Sequence, residues 1–104
     1  MPKKPETKLS NQVLPRLRAE GGWWVKIHGG PFQATGIPDI VGCWRGRFVG
    51  IELKIPGEKP SGIQQETMDL LHLAGARVGL ATTVEEALSV RDGKNDYTLF
   101  RNRG

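Results

Sequence analysis

Two short segments of the 104-residue sequence carry ionisable side chains in apolar surroundings. The first is Gly36-Ile37-Pro38-Asp39, and the second is Ile51-Glu52-Leu53-Lys54. In a β-strand alternate residues point to the same side, so Glu52 and Lys54 share one face of a run that is otherwise suited to burial. Carboxylate and ammonium groups in such a setting can bind cations or take part in proton transfer.

A predicted hairpin brings Asp39 to the same place. Two β-rich runs, 37–44 and 48–55, are separated by Arg45-Gly46-Arg47. If the loop consists of the first two of these three residues, Asp39 lies opposite Glu52, with Cβ atoms about 5 Å apart. The spacing therefore predicts two neighbouring carboxylates on one face of the sheet.

Two carboxylates this close repel each other unless a cation, a proton or Lys54 compensates their charge. Oxygen ligands of this kind suit Mg²⁺ or Mn²⁺. Such an ion would polarise a phosphoryl oxygen and activate a water, while Lys54 orients that water or offsets the developing charge. The chemistry predicted is hydrolysis of a nucleic-acid backbone. In the alternative, Asp39 ends a turn, and Glu52 and Lys54 form a solvated pair on an exposed strand.

The elements that must hold this cluster alternate between helix and strand. Apolar spacing predicts a first helix over 6–20, which Pro15 is expected to kink or divide. A strand over 23–27 precedes the hairpin, and a strand over 77–81 comes later in the chain. The predicted fold is an α/β class with the order α-β-β-β-α-β, a mixed central sheet and helices on both faces.

Two further helices are predicted in the second half of the chain. Ser61 is expected to cap a helix that ends at Gly75, and Thr83 a shorter helix through Ser89. The apolar stripe of the first of these helices comprises Ile63, Thr67, Leu70, Leu71 and Ala74. The segment 97–100 is either an added strand or a stretch packed along an edge.

Composition limits the classes of protein to be considered. The net charge of +4 and the pI of about 9.6 favour an anionic partner. With one Cys and two His, zinc-finger and disulfide scaffolds are excluded, and Cys43 is predicted to be an inert core thiol. One domain over 1–104 is expected, with residues 1–5 as a flexible basic arm. Without a signal-like or membrane-spanning run, a soluble intracellular protein with no membrane partner is expected.

The ordered set of motifs resembles the PD-(D/E)XK nuclease superfamily, and most closely its VRR-NUC family. The matching elements span about residues 6–90: Glu6-x-x-Leu9, Lys26 before Gly29-Gly30, Gly36-Ile37-Pro38-Asp39, Ile51-Glu52-Leu53-Lys54 and Lys59-Pro60-Ser61-x-x-Gln64. Asp and Glu-x-Lys alone form a common pattern, whereas the ordered set is much more specific. The resemblance implies a restriction-endonuclease-like core.

The resemblance also assigns roles to individual residues. Asp39 and Glu52 would bind Mg²⁺ or Mn²⁺ together with the carbonyl of Leu53, and Lys54 would be the catalytic lysine. Glu6 would be a helix-borne acid near the metal, and Gln64 a polar residue lining the site. Three lysines are predicted to contact nucleic acid: Lys8, Lys26 and Lys59.

Stand-alone members of this family resemble Holliday-junction resolvases. The resemblance therefore implies a homodimer that cuts branched DNA, in the cytoplasm of a bacterium or a phage-infected cell. Two alternatives stay open: a non-catalytic nucleic-acid-binding module of the same fold, and a sequence-specific restriction-type nuclease.

Other basic and aromatic residues have two interpretations each. Five basic residues could follow phosphates or simply be solvated: Lys3, Lys4, Lys8, Arg16 and Arg18. Arg45 and Arg47 flank the hairpin tip and could wedge into a junction. Four aromatic residues could stack on bases, although core or dimer packing is favoured for at least two: Trp23, Trp24, Phe32 and Trp44. His28 is interpreted as a substrate contact or a structural hydrogen-bonding residue rather than a general base.

Overall fold

The elements of the protein follow the predicted order in a computed structural model that describes residues 5–28 and 36–103. The helices are α1 (Pro5–Ala19), α2 (Gly62–Leu73) and α3 (Val84–Asp92). The strands are β1 (Trp23–Lys26), β2 (Ile40–Trp44), β3 (Arg47–Leu53) and β4 (Arg77–Ala81). A short 3-10 helix, Phe100–Asn102, follows α3. The predicted order α-β-β-β-α-β is confirmed.

The four strands form one mixed sheet in the order β1-β2-β3-β4. β2 is antiparallel to β1 and β3, whereas β3 and β4 are parallel. The hairpin turns through Arg45 and Gly46, whose φ angles are 50° and 79°. Positive φ at both central residues is the requirement of a type I′ turn, which matches the twist of the flanking strands. Ile40 therefore pairs with Ile51, in the register that the sequence predicts.

One face of the sheet carries the hydrophobic core. Along β3 the side chains of Val49, Ile51 and Leu53 point to this face, where α1 and α3 cover them. The buried cluster comprises Val13, Leu17, Trp24, Ile40, Trp44, Val49, Ile51, Leu53, Ala81, Ala87 and Val90. Trp24 and Trp44 thus have the core role favoured for two of the aromatic residues.

The opposite face of the sheet is covered by α2 at β4. Gly79 lies against Val90 of α3, so its neighbour Val78 points to the opposite face, where it is buried outside the main cluster. Helix α2 packs against β4 and buries Met68. The prediction of helices on both faces is confirmed.

The first segment of the chain differs from the prediction at two prolines. Pro15 does not divide α1, which is continuous from Pro5 to Ala19. The N–H that proline lacks would bond to the carbonyl of Asn11, and both residues are exposed, so water can satisfy that carbonyl. Pro5 belongs to the helix instead of a basic arm, since a first-turn proline loses no helical hydrogen bond. The rest of the predicted arm, with Lys3 and Lys4, lies outside the described residues, as do Gly29-Gly30 and Phe32.

The apolar stripe predicted for α2 does not lie against the core. Ile63 and Leu70 are 53% and 55% exposed, while the buried residues of this helix are Met68 and Asp69. Helical spacing correctly groups the residues of this stripe on one face of α2, but the face that packs against β4 is the one with Met68. Its ends are as predicted: Ser61 caps it in a capping box with Gln64, and Gly75 follows it at a φ of 102°.

Cys43 is exposed, which contradicts the prediction of a core thiol. Trp44 belongs to the core, so the side chain of Cys43, one residue earlier, points to the other face of the sheet. It shares that face with its partners Trp23 and Phe48, which are 63% and 44% exposed. Side chains alternate along β2 between the core face and the opposite face. On the opposite face α2 covers β4 but leaves this part of β2 open.

The segment after α3 is fastened to α2 by a buried carboxylate. Asp69 accepts hydrogen bonds from the Tyr97 hydroxyl at 2.7 Å and from the N–H groups of Phe100 at 2.8 Å and Arg101 at 3.1 Å. The segment 97–100 is thus packed against α2 and adds no strand to the sheet. α3 itself begins after its Thr83 cap, as predicted, but runs to Asp92, three residues beyond the predicted end.

Across 5–28 and 36–103 the chain forms no helix with the length and apolar character that a membrane crossing requires.

Candidate active site

Asp39 and Glu52 meet where β2 begins and β3 ends. The N–H of Asp39 donates to Oε1 of Glu52 at 3.2 Å, and the N–H of Leu53 donates to Oδ2 of Asp39 at 2.8 Å. The carbonyl of Asp39 accepts from the N–H of Ile27 at 2.7 Å. These bonds fix Asp39 between the ends of β1 and β3, one step beyond the last pair of the β2–β3 ladder.

The residues before Asp39 explain how the chain reaches this position. Pro38 is buried, and its ring lies over β3 at Gly50, where an added Cβ would come within 3.0 Å of the proline Cγ. Gly36 has a φ of 84°, and an added Cβ there would lie 2.4 Å from Ile63 of α2. Glycine is needed at position 36 and leaves room for the Pro38 ring at position 50, because the segment before β2 runs close to α2 and to β3.

Glu52 is a buried acid beside a second acid. Its side chain is 1% exposed, and burial, together with the charge of Asp39, raises its pKa from 4.5 to about 7. Lys54 opposes this shift, since its Nζ lies 3.2 Å from Oε2 of Glu52. Oε2 is nevertheless buried without a well-aligned hydrogen-bond donor in the part of the chain that the structure describes.

This donor set fits a divalent cation. The buried Oε2 of Glu52 lies 3.2 Å from the ammonium group of Lys54 but has no well-aligned hydrogen-bond donor among the described residues, so a lone pair remains for a metal ion. The N–H of Leu53 points towards Asp39, and the carbonyl of a strand residue lies on the same side as its N–H. Asp39, Glu52 and the Leu53 carbonyl are therefore the residues that would hold an ion. Hard oxygen ligands of this kind, completed by water, are those that Mg²⁺ and Mn²⁺ prefer.

The protein offers few ligands to an ion at this site. Within residues 5–28 and 36–103, no group of three or more His, Cys, Asp or Glu side chains is arranged to hold a metal. Two carboxylates and one carbonyl leave several coordination positions to water or to a bound phosphate, as is usual for Mg²⁺. Such an open site is more suited to chemistry on a substrate than to a structural ion.

Lys54 completes the cluster. Its N–H donates to the carbonyl of Ala81 at 3.0 Å, so β4 holds the residue just after the end of β3. The side chain is 17% exposed, and its ammonium group can face both Glu52 and solvent. The structure thus brings together three of the predicted catalytic residues: Asp39, Glu52 and Lys54.

The other predicted residues have different surroundings. Glu6 lies in the first turn of α1, close enough to Glu58 to lower the pKa of that carboxyl group. Gln64 accepts from the N–H of Ser61 at 2.8 Å, so its side-chain oxygen serves the capping box of α2. The three lysines predicted to contact nucleic acid differ in burial: Lys8 and Lys59 are exposed, and Lys26 is half-buried at the end of β1. Within the described chain, no hydrogen bond or ion pair joins these lysines to Glu52.

Glu58 was missed by the sequence analysis. Its Oε1 accepts from the N–H of Ile55 at 3.0 Å, and its own N–H donates to the carbonyl of Ile55 at 3.1 Å. The bond from Ile55 lowers the pKa of Glu58, and Glu6 and Lys54 lower it further. Pro56-Gly57 at the centre of this turn, with Gly57 at a φ of 91°, is a turn signal that predicts the return of Glu58 towards Lys54.

Comparison with known proteins supports the fold. A solved structure described as "VRR_NUC domain" matches the chain with a TM-score of 0.71, covering 89% of this chain and 100% of that chain. The two sequences are 20% identical. No family model and no curated protein matches the sequence. The chain therefore has the fold of that VRR_NUC domain, as the resemblance of its motifs predicted.

Proposed function

We propose that this protein is a divalent-metal-dependent nuclease of the VRR-NUC type that hydrolyses phosphodiester bonds in DNA. The observation that carries the proposal is the pair of Asp39 and Glu52 beside Lys54, in which Glu52 accepts from the N–H of Asp39 and Asp39 accepts from the N–H of Leu53. The same fold occurs in a solved VRR_NUC domain. Ionisation of the buried Glu52 destabilises the fold, as its raised pKa indicates. A cation bound during catalysis would compensate that charge.

Each residue of the cluster has a distinct task in this mechanism. Asp39 and Glu52 hold the ion, with the Leu53 carbonyl as a further oxygen ligand. When bound, the ion supplies a Lewis acid for the phosphoryl oxygen and lowers the pKa of a nearby water. Lys54 is an ammonium group that can orient the attacking water and offset the negative charge of the transition state. Glu58 adds an acidic group near Lys54, whose charge lowers the pKa of that carboxyl group.

The preferred substrate is proposed to be branched DNA such as a four-way junction, cut by a homodimer with one site for each strand. This choice follows from the family resemblance. Two alternatives make different predictions: a non-catalytic module binds DNA without cutting it, and a restriction-type enzyme cuts one duplex sequence regardless of branching.

A cleavage panel tests the proposal. Purified protein is incubated with a four-way junction, a flap, single-stranded DNA and a linear duplex, in Mg²⁺, Mn²⁺ or EDTA. We expect metal-dependent cutting, greatest on the junction, and at least a hundredfold loss for D39N, E52Q and K54M. E66Q removes a charge from the exposed face of α2 and serves as the matched control. Cleavage that persists in D39N or E52Q would contradict the mechanism, and equal cutting of all four substrates would contradict the substrate preference.

A further inference from the structure

A cavity of about 510 Å³ lies at the hairpin end of the sheet, where the ends of α1, β2 and α3 meet. The residues that line it are Glu20, Trp44, Arg45, Arg77, Arg91, Asp92 and Lys94. Four of these seven side chains are cationic, and two are acidic. No step of the proposed hydrolysis uses any of them.

Both acids of the cavity are engaged by one buried arginine. Nε and Nη2 of Arg91 donate to the two carboxylate oxygens of Asp92 at 2.9 and 3.3 Å. Nη1 of Arg91 lies 3.5 Å from Oε2 of Glu20 and makes no hydrogen bond within the described chain. The guanidinium also lies 4.5 Å from the centre of the Trp44 ring, and its side chain is 7% exposed. Arg91 is thus a fixed part of the cavity wall, and its charge compensates those of Asp92 and Glu20.

The other three cations of the cavity keep their charge available. In the part of the chain that the structure describes, Arg45, Arg77 and Lys94 make no ion pair within 4.0 Å. Nη1 of Arg77 donates to the carbonyl of Arg91 at 2.9 Å, which holds this side chain in place. Arg45 lies 4.9 Å from the Trp44 ring. The three cations therefore border one space without acidic partners, and two of them are held against the wall.

Their positive charge also acts on the acid that remains. The pKa of Asp92 is lowered chiefly by its hydrogen bond with Arg91, and the charges of Lys94 and Arg45 lower it further. A concave site with several fixed cations favours an anion with several oxygen atoms, and arginine is especially suited to phosphate. The charge and shape of the cavity thus match a phosphate group.

We propose that this cavity binds a phosphate group of nucleic acid, a contact that rests on the proposed function for its choice of ligand. Asp39 and Arg45 lie at opposite ends of β2, six residues apart, which corresponds to roughly 20 Å at about 3.3 Å per residue. About six base pairs of duplex cover the same length at roughly 3.4 Å each. A DNA molecule that contacts both would pass round the hairpin end of the sheet, because Trp44 in the cavity wall points to the core face whereas Asp39 and Glu52 point to the opposite face.

DNA binding in EDTA tests this site without any cleavage. The double variant R45Q/K94Q neutralises two exposed cations of the cavity, and R101Q/R103Q removes the same charge from the exposed segment after α3. Affinity for a 20-base-pair duplex is measured by fluorescence anisotropy from 50 to 200 mM salt. For R45Q/K94Q we expect the slope of log affinity against log salt to fall by about 2, with binding about tenfold weaker or more near 0.1 M salt. R45K/K94R, which keeps the charge, is expected to retain the slope.

A variant of opposite sign strengthens the test. E20Q removes an acid from the cavity and is expected to tighten binding, whereas E66Q makes the same change elsewhere and serves as its control. Equal effects of R45Q/K94Q and R101Q/R103Q would overturn the proposal, because net charge alone would then explain them. If the duplex does not bind, calorimetry with pyrophosphate decides: binding that is lost in R45Q/K94Q supports a free phosphate ligand, and absence of binding overturns the site. Failure of the proposed function is separate, since it would appear as absent cleavage in Mg²⁺ or Mn²⁺ while these binding results stand.

Discussion

Substitution of Glu52 by glutamine should stabilise the metal-free protein while it removes the activity. Glu52 is buried beside Asp39, and its pKa is raised from 4.5 to about 7. At about 1.36 kcal/mol per pH unit, this corresponds to a cost of about 3 kcal/mol when the side chain is ionised in the folded state. The attraction of Lys54 is already included, since it lowers the same pKa. Glutamine has nearly the same shape and no charge, so E52Q avoids the cost.

The sign of the pH dependence follows from the direction of the shift. Because the folded state binds the Glu52 proton more tightly than the unfolded state, stability falls as the pH rises from about 4.5 to 7. Near pH 4.5 the wild type and E52Q should therefore unfold with similar free energies. Near pH 8 E52Q should be more stable by about 3 kcal/mol. Urea denaturation in EDTA at both pH values measures the difference.

A bound cation should reverse this order. At a metal concentration about 100-fold above the dissociation constant, the wild type gains about 2.7 kcal/mol, whereas E52Q has lost a ligand and gains less. E66Q is the matched control and should change stability by no more than about 0.5 kcal/mol at either pH. A stability difference between E52Q and the wild type that does not grow with pH would refute the reasoning about Glu52. An equal response of both proteins to Mg²⁺ or Mn²⁺ would refute its role as a ligand.

Two further predictions concern the fold. Burial alone would raise the pKa of Asp69, but its hydrogen bonds, first that from Tyr97, lower the pKa below 3.8. The ionised carboxylate therefore stabilises the fold above pH 3.8, and this stabilisation is lost as the pH falls below that value. D69N should cost about 1–3 kcal/mol at pH 7 and much less at about pH 2, as measured by urea denaturation; an equal cost at both would contradict this account. G42A should destabilise the protein by about 3 kcal/mol or more, since its Cβ would lie 2.1 Å from the Trp23 carbonyl oxygen. G62A has open space around its Cβ at the start of α2 and should be neutral or stabilising in thermal unfolding, which makes it the control.

The hairpin and the carboxylate pair could be predicted because local rules determine both. A two-residue turn and the alternation of side chains fix the register, and the register brings Asp39 to Glu52. Neither step needs knowledge of how the helices pack. The predicted neighbourhood of these two residues therefore agrees with the structure.

The predictions that failed depended on which surface each element turns to its neighbours. Cys43 was predicted to be in the core because its strand is apolar, but the sequence could not show that α2 leaves this part of the sheet open. Helical spacing grouped Ile63 with Leu70, whereas the face of α2 that packs inward carries Met68 and Asp69. A buried aspartate is hard to predict from sequence, because its partners lie far along the chain, in the segment that it fastens.

The β2–β3 hairpin links the two charged ends of the molecule. Its turn contributes Arg45 to the basic cavity, and its open end holds Asp39 against Glu52. Since side chains alternate along a strand, a slip of one residue would turn Glu52 towards the core and carry Ile51 to the face that the acids now occupy. The positive φ angles of Arg45 and Gly46 oppose such a slip by holding the loop at two residues. The geometry of the proposed metal site is thus fixed by a turn roughly 20 Å away, about six residues along β2.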